Sequence, residues 1–128
     1  MKPITIGKLR GLQQIASKRG TFTCLALDHR QNLRKANPSF VSDAELSRFK
    51  VDVTKAVAYR ATAVLLDPEV SAAQAIAARA IPSSVGFVVA VESTGYTGDA
   101  TARHAQMITG WNVEKAKRMG ASAIKLLV

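Results

Sequence analysis

Four short apolar runs constrain this chain more than anything else in it. Each stops at or near a charged residue, and a helical pattern separates each from the next. The runs begin at Thr21, Thr62, Gly86 and Ala121, and the first three close at Leu27, Leu66 and Val91. Runs of this length, rich in β-forming residues and bounded by polar or turn residues, read as buried strands rather than helices. Ser42-Asp43-Ala44-Glu45 fits a capping box opening a helix whose apolar face is Leu46, Phe49, Val53 and Val57. Ser71 with Gln74 repeats that pattern and opens an alanine-rich helix through about Arg79. A third helical pattern ends at Met119, with Trp111, Ala116 and Met119 as buried candidates and Gly120 as its stop. Ahead of the first strand, Thr5–Arg19 reads as a helix carrying Leu9, Leu12, Ile15 and Ala16 on one face. Gln31–Val41 reads as a polar connection around Asn37-Pro38. The order is a helix, then β-α-β-α-β-α-β, which predicts a parallel sheet with right-handed crossovers.

Strand parity narrows the fold further. Alternate residues on a strand share a face. Asp28 falls with Ala26 and Cys24, Glu92 with Ala90 and Val88, and Lys125 with Ala123 and Ala121. The opposite face carries Leu25 and Leu27, Val89 and Val91, Ile124 and Leu126. One face is mostly small and ends in charge; the other is bulky and apolar. A barrel needs that asymmetry, because its crowded interior takes small side chains while its outer face packs on helices. A doubly wound sheet does not need it so consistently. The fold class expected is therefore α/β, a (β/α)8 TIM barrel. Such a barrel takes about 250 residues, and this chain has 128. The reading is of the N-terminal half of one barrel domain, 1–128. Residues 1–20 form a leading helical segment, and 21–128 supply the first four βα units, cut in strand four.

Composition excludes several function classes. No stretch approaches the ~20 apolar residues of a membrane span, and no apolar signal core opens the chain, so a cytoplasmic protein is expected. Cys24 is the one cysteine; it is expected in the core, and neither an intrachain disulfide nor a cysteine zinc site can be built. His29 and His104 lack metal-ligand spacing with a third residue, so no metal is expected. The net charge of +9 points to an anionic partner, but the basic residues are spread out and do not alternate with the four Phe, two Tyr and one Trp. That favours local phosphate attraction over nucleic-acid binding.

Chemistry concentrates where the runs stop: at Asp28-His29-Arg30-Gln31, at Asp67-Pro68-Glu69, at Glu92 and at Lys125. Ligands of α/β barrels bind at these carboxyl ends. A carboxylate beside an ammonium keeps both charged unless desolvation lowers the lysine pKa. A barrel lysine so lowered is a candidate Schiff-base nucleophile or proton shuttle, and Asp28 a candidate to orient a hydroxyl or move a proton. The residues alone suggest an enzyme acting on a small anionic carbonyl compound. Strand-end capping by Asp28 and snorkelling of Lys125 remain the plain structural alternatives.

Leu25-Ala26-Leu27-Asp28-His29-Arg30-Gln31, Leu65-Leu66-Asp67-Pro68-Glu69, Glu92-Ser93-Thr94-Gly95-Tyr96 and the stretch from Trp111 through Lys125-Leu126-Leu127 resemble the tagatose 1,6-bisphosphate aldolase family. The sulfofructose-phosphate aldolases belong to the same wider group. The resemblance runs from Thr21 to Val128 and implies a metal-free, cofactor-free class I aldolase. Such an enzyme forms a Schiff base with a phosphorylated ketose, and a homo-oligomer is expected. It implies Asp28 on strand one and Lys125 on strand four as catalytic residues. It also implies an acid–base Glu on strand five and the Schiff-base Lys on strand six, both beyond this stretch. His29, Arg30, Gln31, Asp67 and Glu92 are the substrate-binding candidates, His29 standing where the family pattern often has Gln. Arg30 and Arg103 are candidates to meet phosphate, and His104 reads as a solvated helix-entry residue. Two other readings stay open: a non-enzymatic phosphate- or nucleotide-binding α/β module, and a half-barrel that serves as an interaction piece.

Overall fold

A computed structural model describes residues 3–93 and 105–127. Its elements are α1 (Ile6–Ile15), β1 (Cys24–Leu27), α2 (Gln31–Ala36), α3 (Asp43–Val57), a 3-10 turn (Ala58–Arg60), β2 (Ala63–Leu66), α4 (Ala72–Ala77), β3 (Gly86–Ala90), α5 (Val113–Arg118) and β4 (Ala123–Lys125). The four strands are all parallel and lie side by side in sequence order. A doubly wound sheet reverses its strand order at a switch point, and no reversal occurs among these strands. The fold is an open half of a (β/α)8 barrel.

The two faces separate by parity. Val64, Leu66, Phe87, Val89 and Val91 join Val51, Ala58, Ala72, Ala75 and Ala116 in the buried core, with Leu25, Leu27 and Ile124 packed against it. This is the helix-covered face. On the other face the β1 residues Cys24 and Ala26 are exposed, whereas the central-strand Ala90 is fully buried. The expectation of a core cysteine is thus corrected: Cys24 lies on the concave side of an edge strand, where nothing among the described residues covers it.

Three local expectations also change. Gln31–Ala36 is a short helix rather than an irregular connection. The capping box at Ser42 and Glu45 forms in both directions, but Ser71 makes no cap bond to α4. Its hydroxyl is taken by Asp67 instead. Finally, α3 is rotated from the expected face. Leu46, Lys50, Val51 and Thr54 are its buried residues, while Phe49 and Val57 are exposed. Phe49 stacks instead on Phe40, ring centroids 4.9 Å apart.

Helix α1 closes the end of the sheet where the strands begin, and two glycines let it approach. A Cβ on Gly86 would sit 2.5 Å from the Gln14 carbonyl oxygen and 2.7 Å from Ile15 Cγ2. A Cβ on Gly11 would overlap the Ser122 carbonyl in the same way. Gly86→Ala is expected to destabilise the fold by about 1–3 kcal/mol through this overpacking. The urea midpoint should fall and amide exchange in α1 should speed up. An unchanged midpoint with unchanged α1 protection would show that the helix is not docked there.

Candidate functional site

The strand ends converge on one ammonium. Lys125, the last residue of β4, places Nζ 2.5 Å from Asp28 Oδ2 and 2.9 Å from Glu92 Oε1. Asp28 follows β1 directly and Glu92 lies two residues past β3. β1 and β4 are the two edges of the sheet. In a flat sheet three spacings of ~4.8 Å would hold them ~14 Å apart, farther than a lysine and an aspartate can bridge. The Asp28–Lys125 pair therefore exists because the sheet curls, and it lies on the concave side at the carboxyl ends.

The acids of this cluster are buried, with Asp28 7% and Glu92 3% exposed. Burial would lower the Lys125 pKa, but hydrogen bonds and charge from Asp28 and Glu92 outweigh it and raise the pKa above the usual lysine value. The desolvated, lowered amine considered as one sequence possibility is not what forms in this half-barrel. Lys125 is held as a cation. Asp28 Oδ1 lies 3.9 Å from the exposed imidazole of His29. That oxygen is placed to receive a further hydrogen bond.

Arg30 is also buried, 6% exposed. Its Nη1 pairs with Glu69 and its Nη2 donates to the Glu92 carbonyl at 3.0 Å. Arg30, Gln31, Glu69 and Ser93 line a cavity of about 370 Å³ together with residues 106–109. The returning segment is fixed by a bridge between Glu92 and Met107.

Asp67 is placed differently from the other candidates. It is fully buried. One carboxylate oxygen accepts from the Glu69 and Val70 backbone N–H groups, the other from the Ser71 hydroxyl and Lys50 Nζ. Its acceptor sites are occupied by the turn that opens α4, which leaves none presented to a ligand. Lys50, on α3, is its fully buried counter-ion. Burial pushes the Lys50 pKa below the usual range, with Asp67 pulling the other way. Sequence reasoning missed Lys50. The available signal was the i, i+4 stripe Leu46, Lys50, Thr54, Ala58, which puts lysine in line with the most buried positions of that face.

Thr94-Gly95-Tyr96, Thr97-Gly98-Asp99, Arg103 and His104 lie outside the described residues. Among the described residues no group of three His, Cys, Asp or Glu side chains is placed to hold a metal ion, and no helix is long and apolar enough to cross a membrane.

Residues 22–128 match the family model described as DeoC/LacD family aldolase. The chain is 33% identical over its whole length to tagatose 1,6-diphosphate aldolase 2 of Enterococcus faecalis, covering 39% of that protein. It is 29% identical to the tagatose 1,6-diphosphate aldolase of Lactococcus lactis subsp. lactis, where 98% of the chain covers 39% of the relative. A Staphylococcus aureus tagatose 1,6-diphosphate aldolase is 28% identical across 94% of the chain and 37% of its own length. The chain thus spans about two fifths of the length of these curated relatives.

Proposed function

The chain belongs to the DeoC/LacD family of aldolases, and on that premise we propose that the full-length protein is a class I, Schiff-base aldolase acting on a ketose bisphosphate. It yields dihydroxyacetone phosphate and an aldehyde phosphate. The chain supplies the first four βα units of the barrel, and further strands cover the concave face and the free edges of β1 and β4. A cytoplasmic homo-oligomer without metal or cofactor completes the reading. The observation that carries it is the Lys125 ammonium shared by Asp28 and Glu92 on the concave rim.

The chemistry assigns each group a task. A lysine amine on a later strand adds to the ketose carbonyl and loses water, leaving an iminium ion. A base takes the C4 hydroxyl proton, the C3–C4 bond breaks, and its electron pair moves into the iminium to give an enamine. Lys125 remains charged beside that centre and stabilises negative charge on oxygen as it develops. Asp28 Oδ1 accepts a sugar hydroxyl. His29, half-exposed at the rim, and Gln31, at the start of α2, contact the polar end of the substrate. Asp67 serves the α4 turn rather than the sugar.

Borohydride treatment of the full-length protein with dihydroxyacetone phosphate tests the reading. A stable adduct on a lysine of a later strand is expected, located by peptide mass spectrometry. Absence of any adduct in a protein that cleaves the sugar would remove the Schiff base from the proposal.

A further inference from the structure

The Arg30 guanidinium spans three strand ends. It leaves the chain two residues after Asp28, at the end of β1. It pairs with Glu69 beyond β2 and donates to the backbone carbonyl of Glu92 beyond β3. We propose that Arg30 is a positioning residue, which fixes the backbone at Glu92 so that the Glu92 carboxylate meets Lys125; its catalytic consequence rests on the aldolase reading above.

The backbone shows why a donor is needed there. β2 stops at Leu66, and Pro68 has no N–H to offer, so the ladder that pairs Leu66 with Val89 goes no further. On its other flanks the end of β3 is satisfied. Val91 N–H bonds the Lys125 carbonyl at 3.1 Å, Ile108 N–H bonds the Val91 carbonyl at 2.9 Å, and Ser93 N–H bonds the Gln106 carbonyl at 2.7 Å. The Glu92 carbonyl receives Arg30 Nη2. A buried carbonyl without a donor costs most of its desolvation penalty, so losing this bond frees the segment to shift.

The Glu92 side chain depends on that fixation. It is 3% exposed, Lys125 holds Oε1, and Oε2 has no partner among the described residues. One hydrogen bond does not aim a carboxylate; the backbone must. The same geometry argues against Arg30 as a phosphate ligand. It is buried, its charge is already met by Glu69, and its Nε is likewise buried and unpartnered among the described residues.

Lys125 reports the arrangement without any turnover. Competitive labelling with trace acetic anhydride, read by mass spectrometry, measures its free-amine fraction against exposed Lys55. Lysine in place of arginine keeps a charge for Glu69 but lacks the fork that serves two acceptors. Arg30→Lys is expected to speed Lys125 labelling several-fold and leave Lys55 unchanged. Glu92→Gln should do the same, and the double variant should do no more than either. If Arg30→Lys does not fold, Glu69→Gln takes its place, with a smaller change in the same direction expected. Unchanged Lys125 labelling, or effects that multiply, would overturn the proposal. In the full-length enzyme, kcat should fall roughly 10²-fold, as misplacement by an ångström does, with KM little changed. A raised KM at constant kcat would make Arg30 a substrate contact and overturn the assignment. Failure of the borohydride trap would dismiss the Schiff-base reading separately, since the labelling decides Arg30 on its own.

Discussion

Lys125→Ala in the full-length protein is expected to lower turnover by roughly 10²–10³-fold, the cost of removing one preorganised donor from developing charge. A borohydride-trapped adduct with dihydroxyacetone phosphate should still form. The two results belong together because Lys125 is held as an ammonium. Asp28 at 2.5 Å and Glu92 at 2.9 Å hold its pKa up, and a protonated amine has no lone pair with which to attack a carbonyl. Lys125→Arg should recover part of the loss if charge is what matters. Loss of all adduct in Lys125→Ala, or an adduct on Lys125 in the unaltered protein, would make strand four the covalent site instead.

Lys50→Ala should be the most damaging change for stability. It leaves Asp67 fully buried without its counter-ion, and removing one member of such a pair costs about 3–5 kcal/mol. The thermal midpoint is expected to drop by on the order of 10 °C. Asp67→Asn in the same background should recover stability, because the amide oxygen can still serve the Glu69 and Val70 N–H groups while the stranded charge is gone. A double-mutant cycle over Lys50→Ala and Asp67→Asn measures that coupling. Stability within ~1 kcal/mol of the parent in Lys50→Ala would mean that water reaches the site and the pair is not structural.

The positions of Asp28, Glu92 and Lys125 were legible because strand parity leaves little choice. An alternating backbone puts Ala26 and Asp28, or Ala123 and Lys125, on one face whatever surrounds them. Lys50 and Phe49 were not legible, because helix periodicity ranks residues by polarity and tertiary contacts decided both. A buried carboxylate drew Lys50 inward, and Phe40 drew Phe49 outward. At Ser71 the pattern was right in kind, but Asp67 competed for the hydroxyl. The short helix Gln31–Ala36 has a single strongly apolar residue, Leu33, and no side-chain cap bond at its start, so neither period nor cap could announce it. Parity put Cys24 on its observed face, but its burial was misjudged because residue preference assumes a closed core, and the concave face here is open.

The sheet order has a consequence for how the chain assembles as it leaves the ribosome. Every strand pairs with the one made just before it, at sequence separations of 39, 23 and 35 residues (24 to 63, 63 to 86, 88 to 123). Closure entropy over such loops differs by only about 0.5 kcal/mol, so no pairing is favoured out of turn and the sheet can grow one strand at a time. Helix α1 follows the opposite schedule. It precedes all four strands, yet its docking surfaces are Gly86 and Ser122. Until those emerge its buried Gly11 has no carbonyl to pack against, so the helix ahead of the four strands docks only once the last of them is made.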